Sequence, residues 1–246
     1  IYNNTYVKNR KKIILCNPYF AYYSDTTTTS TETRGGISIY DIDDSDNLSI
    51  WKTIEPAKEI SGFGHSISLS KNEQLMVVGC VDHSHDITES VEQVYNKKTY
   101  ININQLGQDI DGEAQGDQSG HSVALSSNGR IVAISSTHNS GNTNSWGTGH
   151  VRVYQLIGSS WEQRGQDIDG EGYLNYSGNS ISLNSDGTIV AIGAPYNNEN
   201  GTNSGNVRVF KWNNDNKRWE QLGMDIYGRG AYFMFGWSVA LSSDGT

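Results

Sequence analysis

A Gly-x-Ser triplet recurs at Gly64-His65-Ser66, Gly120-His121-Ser122, Gly178-Asn179-Ser180 and Gly236-Trp237-Ser238, at spacings of 56, 58 and 58 residues. The interval of 58 also separates Trp161 from Trp219, and Gly107 from Gly165 from Gly223. A fixed period this long marks a chain built from copies of one supersecondary unit, so the unit has to be read before any local segment. Its clearest copy contains S-I-S-L-N-S-D-G-T-I-V-A-I-G-A-P-Y, from Ser180 to Tyr196. Two short apolar runs there flank Asn184-Ser185-Asp186-Gly187, a hairpin signal because glycine takes the positive φ that closes the turn.

Each unit reads as four strands. In the best copy they cover residues 179–183, 188–194, 206–212 and 218–226. The first sets Ile181 and Leu183 on one face and the small Ser180 and Ser182 on the other. The second is almost wholly apolar, as strands buried on both faces are. Polarity then rises to the fourth, which carries Trp219 at a rim position. Residues 122–125, 131–135, 151–156 and 161–165 make a second copy, and 66–69, 75–80, 91–95 and 100–106 a third, with Ile103 in the tryptophan slot. The earliest copy is degenerate: 13–16, 36–42 and 49–54 match strands two to four, with Trp51 at the rim. Thin antiparallel units that cannot bury both faces alone describe propeller blades. The expected fold is therefore all-β, a β-propeller of four-stranded antiparallel blades with a period of about 58 residues. Blade 1 spans about 1–62, blade 2 63–118, blade 3 119–176 and blade 4 177–234. Residues 235–246 begin a fifth blade or close the ring. The chain reads as a fragment of a longer propeller, with a closed four-blade ring as the alternative.

Composition narrows the partners. A net charge of -9 without a Lys/Arg stripe argues against nucleic acid and anionic membrane surfaces. No apolar run approaches the ~18 residues of a membrane span, so no membrane insertion is expected. The basic run at residues 8–12 reads as a solvated strand edge. Two cysteines, Cys16 and Cys80, are too few for a disulfide framework; buried thiols are the first reading and a bridge the alternative.

Phe63-Gly64 and Phe235-Gly236 open blades, and Gly193-Ala194-Pro195 closes a second strand ahead of Gly205-Asn206-Val207-Arg208-Val209-Phe210. These residues resemble the FG-GAP repeat of integrin-α-type propellers, in its divergent form. The resemblance weakens in the first unit, where Cys16-Asn17-Pro18 stands for Gly-Ala-Pro. WD-type repeats lack this period, and kelch-type repeats show a Gly-Gly doublet in each blade, matched here only by Gly35-Gly36. The resemblance implies an extracellular, cell- or virion-surface module for adhesion. It also implies calcium in the turn between strands one and two. With Asp186-Gly187 as anchor, the ligand positions hold Asn184, Ser182 and Val190, and one carboxylate is too few for a hard cation. No metal and no cofactor are expected.

The remaining chemistry is sparse. Asp109-Ile110-Asp111-Gly112-Glu113, followed by Asp117, recurs as Asp167-Ile168-Asp169-Gly170-Glu171. If extended, the stretch aligns alternate carboxylates for a cation; otherwise these are turns between blades. His65 and His121 share a slot held by Asn179 and Trp237 in other blades, and His83-Ser84-His85-Asp86 reads as a polar loop. No nucleophile elbow, Cys-His signature or phosphate loop is present. The connections between strands two and three (17–35, 81–90, 136–149 and 196–205) vary in length and are rich in aromatic and amide side chains. They form one face with the blade-to-blade connections. Tyr19, Tyr22, Tyr23, His83, His85, Trp146, Tyr196 and Asn198 are the candidate binding residues on it. The expected function is a non-enzymatic module that recognises protein or glycan through this face. A structural repeat of a shell or filament, packed on neighbouring subunits or the rest of a longer chain, is the alternative, and a glycan-active enzyme a third reading. Sequons at Asn3, Asn47, Asn175 and Asn200 fit a secreted or surface setting.

Overall fold

The structure is a computed structural model and describes residues 11–21, 33–42, 48–54, 63–71, 75–81, 91–99, 102–141 and 146–246. They form four antiparallel sheets, each a meander in chain order. The first contains β1 (Lys11–Ala21), β2 (Thr33–Ile42) and β3 (Leu48–Ile54). The second contains β4 (Phe63–Leu69), β5 (Leu75–Cys80), β6 (Val91–Thr99) and β7 (Asn102–Gln105), with β8 (Ile110–Asp111) paired to β6. The third contains β9 (Ser119–Leu125), β10 (Ile131–Ser136), β11 (His150–Ile157) and β12 (Ser160–Gln163), with β13 (Ile168–Asp169) on β11. The fourth contains β14 (Ser180–Leu183), β15 (Ile189–Ala194), β16 (Asn206–Asn213) and β17 (Arg218–Gln221), with β18 (Ile226–Tyr227) on β16. First strands stack in series, β4 on β9 and β9 on β14. This is a β-propeller. Among the described residues no helix is long and apolar enough to cross a membrane.

The burial gradient follows the sequence. Every residue of the second strands β10 and β15 is buried, whereas β12 and β17 bury only their tryptophan. Trp161 and Trp219 sit between blades, and each indole donates to the preceding blade, Trp161 Nε1 to Leu106 O (2.9 Å) and Trp219 Nε1 to Arg164 O (2.8 Å). Cys80 is buried in β5. The side chains of Cys16, Trp51 and Ile103 lie outside the described set.

The small serine faces of the first strands stitch one blade to the next. Ser66 Oγ donates to Gly120 O (2.7 Å) and Ser180 Oγ to Gly236 O (2.9 Å). Leu125 N, Ile181 N and Leu241 N in turn donate to Ser68, Ser122 and Ser182 Oγ. The blades approach so closely here that a Cβ on Gly79 or Gly193 would collide with the carbonyl of Gly120 or Gly236. On the opposite side from the long loops, the strand one-to-two turns are strung together by backbone bonds: Lys71 N to Ser127 O, Ser127 N to Ser185 O and Ser185 N to Ser243 O, at 2.8–3.0 Å. Within the turn, Asn184 Oδ1 accepts from Thr188 N and Ile189 N, and Asp186 Oδ1 from Thr188 N and Oγ1. These side chains shape backbone, as Asx turns do.

Two expectations change. The fourth strand stops at Gln221; Gly223 turns the chain at φ +78°, and Ile226–Tyr227 returns as a separate short strand on β16. Gly107 and Gly165 make the same corner at φ +80° and +85°, which accounts for that glycine's 58-residue period. Residues 236–242 run beside β14 but form no strand, being joined to it by side-chain to backbone bonds, Asn179 Nδ2 to Trp237 O (3.2 Å) and Leu241 N to Ser182 Oγ (3.0 Å), and not by a backbone ladder.

Candidate functional site

The strand two-to-three loops and the blade-to-blade connections meet on one face and hold each other by backbone pairing. Tyr176 N donates to Gly147 O (2.9 Å) and Ser177 N to Thr148 O (3.1 Å). One blade later Met234 N donates to Asn203 O and Phe235 N to Ser204 O, both at 3.0 Å. Leu174, Tyr176, Tyr232 and Met234 have φ between +49° and +65°. Bulky residues adopt this region only where surrounding contacts over-determine it. The loops are therefore fixed platforms.

On this face five rings from neighbouring blades form a continuous row. His138 lies 4.8 Å from Trp146 and 5.0 Å from Tyr176; Tyr176 lies 5.3 Å from Tyr196, and Tyr196 6.2 Å from Trp237. Most contacts are edge-on, the arrangement the ring quadrupoles favour. Trp146 and Trp237 are each more than half exposed. Burial, and then the neighbouring Tyr173 and Tyr196, push the Tyr176 phenol above its ordinary pKa, so it stays a protonated donor at neutral pH. At the inner strands the His65 and His121 rings lie 5.0 Å apart, tilted by 43°.

His138 is held by a relay. The buried Thr137 hydroxyl donates its one proton to Gln118 Oε1 (3.2 Å), and His138 Nδ1 lies 3.1 Å from Thr137 Oγ1. With that proton committed, Nδ1–H donates to Thr137 Oγ1, which puts the lone pair of the neutral ring on Nε2.

Beside this row lies a polar cluster. His150, buried at the start of β11, has Nδ1 3.6 Å from Glu113 Oε2 and 3.7 Å from Asp167 Oδ2. Asn139 Nδ2 donates to Glu113 Oε2 (3.1 Å) and Asp117 Oδ2 (2.8 Å), and Arg152 donates to Asp111 O (2.7 Å). Burial, reinforced by Arg152, lowers the His150 pKa although Asp167 and Glu113 pull it up, so the ring is neutral at pH 7. Burial raises the Asp117 pKa against the hydrogen bonds from Asn139 and Ala114. The next blade repeats the arrangement with an amide in the centre. Asn206 Nδ2 donates to Asp225 Oδ2 (2.7 Å) and Glu171 Oε2 (3.4 Å), and Arg208 to Asp169 O (2.6 Å).

Of the expected binding residues, Trp146 and Tyr196 join the ring row. Asn198 is exposed on its loop, but its Oδ1 accepts from Asn203 N (2.9 Å), a turn-shaping role. Tyr22, Tyr23, His83 and His85, and the Tyr19 side chain, lie outside the described residues. In each acidic segment only two residues are strand, Ile110–Asp111 and Ile168–Asp169, and bends and turns follow from Glu113 and Glu171. Asp109 Oδ1 accepts from Gln105 Nε2, Asp111 and Asp169 bind arginine through their carbonyls, and Glu113, Asp167 and Glu171 flank the strand-three position. Sequence reading missed His138, Tyr176 and His150. Aligning Gly149-His150-Val151-Arg152 on Gly205-Asn206-Val207-Arg208 would have exposed His150 as a substitution at a repeated position. A groove of about 390 Å³ at the outer rim, near Arg164, Trp212 and Lys217, is remote from this face.

No family model and no curated protein sequence matches the chain. Solved structures do. The periplasmic gluconolactonase of Pseudomonas aeruginosa is similar over 86% of this chain and 53% of its own, at 16% identity and a TM-score of 0.55. A Bacteroides uniformis protein named as a candidate 6-phosphogluconolactonase is similar over 82% of this chain and 56% of its own, at 16% identity and a TM-score of 0.50. The chain thus spans about half the length of these structures, and the likeness at that identity is one of fold. These neighbours overturn the FG-GAP, integrin-type resemblance. The Phe-Gly and Gly-Ala-Pro motifs answer to general demands of blade packing, close approach at the glycines above all, and not to that family. They overturn as well the expectation of a non-enzymatic adhesion module: the neighbours bear the names of lactonases. Nothing supports the virion-surface setting.

Proposed function

We propose that this propeller is a hydrolase for a cyclic ester of sugar type, acting on the loop face of blades 3 and 4. The observation that carries the reading is His138, oriented by Thr137 and Gln118, within a row of aromatic rings. The lactonase names of the fold's neighbours supply the choice of reaction. Trp146, Tyr196 and Trp237 offer ring faces for the C–H surface of a sugar, amphipathic contact at low entropic cost. His138 Nε2 takes a proton from water as the water oxygen attacks the lactone carbonyl. Tyr176 O–H supports the oxyanion by hydrogen bonding. Collapse of the tetrahedral adduct breaks the ring C–O bond, and the proton on Nε2 passes to the departing alkoxide, leaving a hydroxy acid.

A location outside the cytoplasm agrees with the periplasmic neighbour. Two of the sequons add little support, since Asn175 is buried and Asn200 Nδ2 donates to Gly228 O (2.7 Å). The partner surface of the last blade is the row Leu222, Met224 and Ile226, exposed here, which a neighbouring subunit or further blade of a longer chain would cover.

The test is proton release from a panel of γ- and δ-sugar lactones. Turnover above the uncatalysed rate, lowered about 10²-fold or more by His138→Gln with an unchanged thermal midpoint, is expected. Equal rates with and without protein, at saturating lactone, would sink the reading.

A further inference from the structure

We propose that Glu113 Oε2, His150 Nδ1 and Asp167 Oδ2 form a site for a divalent first-row transition cation, zinc being the best fit. The three ligand atoms lie within 4.8 Å of one another. The separations of 3.6 and 3.7 Å from Nδ1 to the two carboxylate oxygens exceed hydrogen-bond length. They come close to the edge of a zinc tetrahedron, about 3.3–3.4 Å for ligands at ~2.0–2.1 Å. His150 is 1% exposed, and neither ring nitrogen has a hydrogen-bond partner. A buried polar ring left in that state needs a reason, and a cation at Nδ1 supplies one.

The molecule contains its own control. In blade 4 the same position is Asn206, whose amide reaches Asp225 Oδ2 at 2.7 Å and so closes the matching pair of carboxylates by hydrogen bonding. Blade 3 keeps both carboxylates and the arginine and exchanges the amide for an imidazole that closes nothing. Arg152 does not fill the gap: its Nη1 lies 4.0 Å from Oε1 of Glu113, the oxygen away from His150. Asn139 Nδ2 donates to Oε2 at 3.1 Å, which leaves that carboxylate oxygen a lone pair. One imidazole with two carboxylates suits zinc or a neighbouring transition ion better than calcium or magnesium, which ask for more oxygens. Two ligands belong to blade 3 and Glu113 to the connection entering it, so a bound ion would clamp that connection to the sheet. The site is separate from His138 and does not depend on the proposed hydrolysis.

The experiment is calorimetric titration of the 246-residue chain, stripped with EDTA, with zinc chloride. One tight equivalent is expected, with a rise in thermal midpoint. His150→Asn, which copies blade 4, should weaken that equivalent at least 100-fold while leaving the midpoint in EDTA unchanged. Glu113→Gln, at a side chain 45% exposed, should weaken it similarly without a folding cost. Asn206→His should add a second equivalent. No tight zinc binding by the parent chain, or binding equal in the parent and in both loss variants, overturns the proposal.

Discussion

Truncating Trp219 tests the packing between blades at one point. Its indole is 3% exposed in a cluster with Ile168, Ile181 and Phe210, and packs at a tilt with its ring centre 5.5 Å from that of Trp212. Its Nε1–H is the partner of Arg164 O in the preceding blade. Gln166 adds a fork, accepting from Trp219 N (3.1 Å) and donating to Trp219 O (2.8 Å); those backbone bonds survive the substitution. Trp219→Ala removes the ring and leaves the Arg164 carbonyl short of a donor, for a loss of about 3–5 kcal/mol. Trp219→Phe keeps most of the packing and loses the donor, for about 1–2 kcal/mol. Against a total stability of roughly 5–15 kcal/mol, the alanine variant is close to unfolding. At about 2–4 °C per kcal/mol for a chain of this size, its midpoint falls by some 10 °C. Trp161, bonded identically to Leu106 O, should give the same value within about 1 kcal/mol, because the blades repeat. Urea denaturation with fluorescence and circular dichroism measures both. A loss below about 1 kcal/mol at either tryptophan would refute the interblade placement of the rim residue.

Other expectations follow from single contacts. Gly193→Ala forces a Cβ against the Gly236 carbonyl and should cost about 1–3 kcal/mol in urea denaturation; an unchanged midpoint would mean that the blades are not so closely apposed. Asp186 has its pKa held below the ordinary 3.8 first by its hydrogen bond with Thr188. Its stabilising contribution is present above that value and lost as pH falls through the lowered one. Asp186→Asn should therefore flatten the acid limb of stability below about pH 4, measured by denaturant midpoints; parallel curves would contradict this. Trp146→Ala removes an exposed ring and should change stability by less than about 0.5 kcal/mol while raising KM for a lactone about tenfold. An unchanged KM removes Trp146 from the platform.

The fold was legible because the repeat is written in residues with backbone duties. The Gly-x-Ser triplet marks where blades nearly touch, and the apolar run of residues 188–194 can only be a strand covered on both faces. The break at Gly223 was less visible. A glycine at the end of a polar strand reads equally as its continuation, and only the pairing of Ile226–Tyr227 with β16 decides it. The site was half legible. Trp146 and Tyr196 follow from loop composition, but His138 owes its orientation to Gln118, on another connection, and no local pattern reports such a partner. His150 was hidden for a different reason: the loop before it is two residues longer than its counterpart, so the 58-residue ruler misaligns it with Asn206. The family resemblance failed because the quoted motifs encode blade geometry, which unrelated propellers share.

The pH dependence of kcat/KM for lactone hydrolysis tests the central claim most directly. With His138 as the base, kcat/KM falls on acidification as the imidazole takes up the proton that blocks Nε2, and His138→Gln lowers the plateau and abolishes that limb. A limb of the same shape and height in His138→Gln would contradict the assignment of the loop face as the catalytic site.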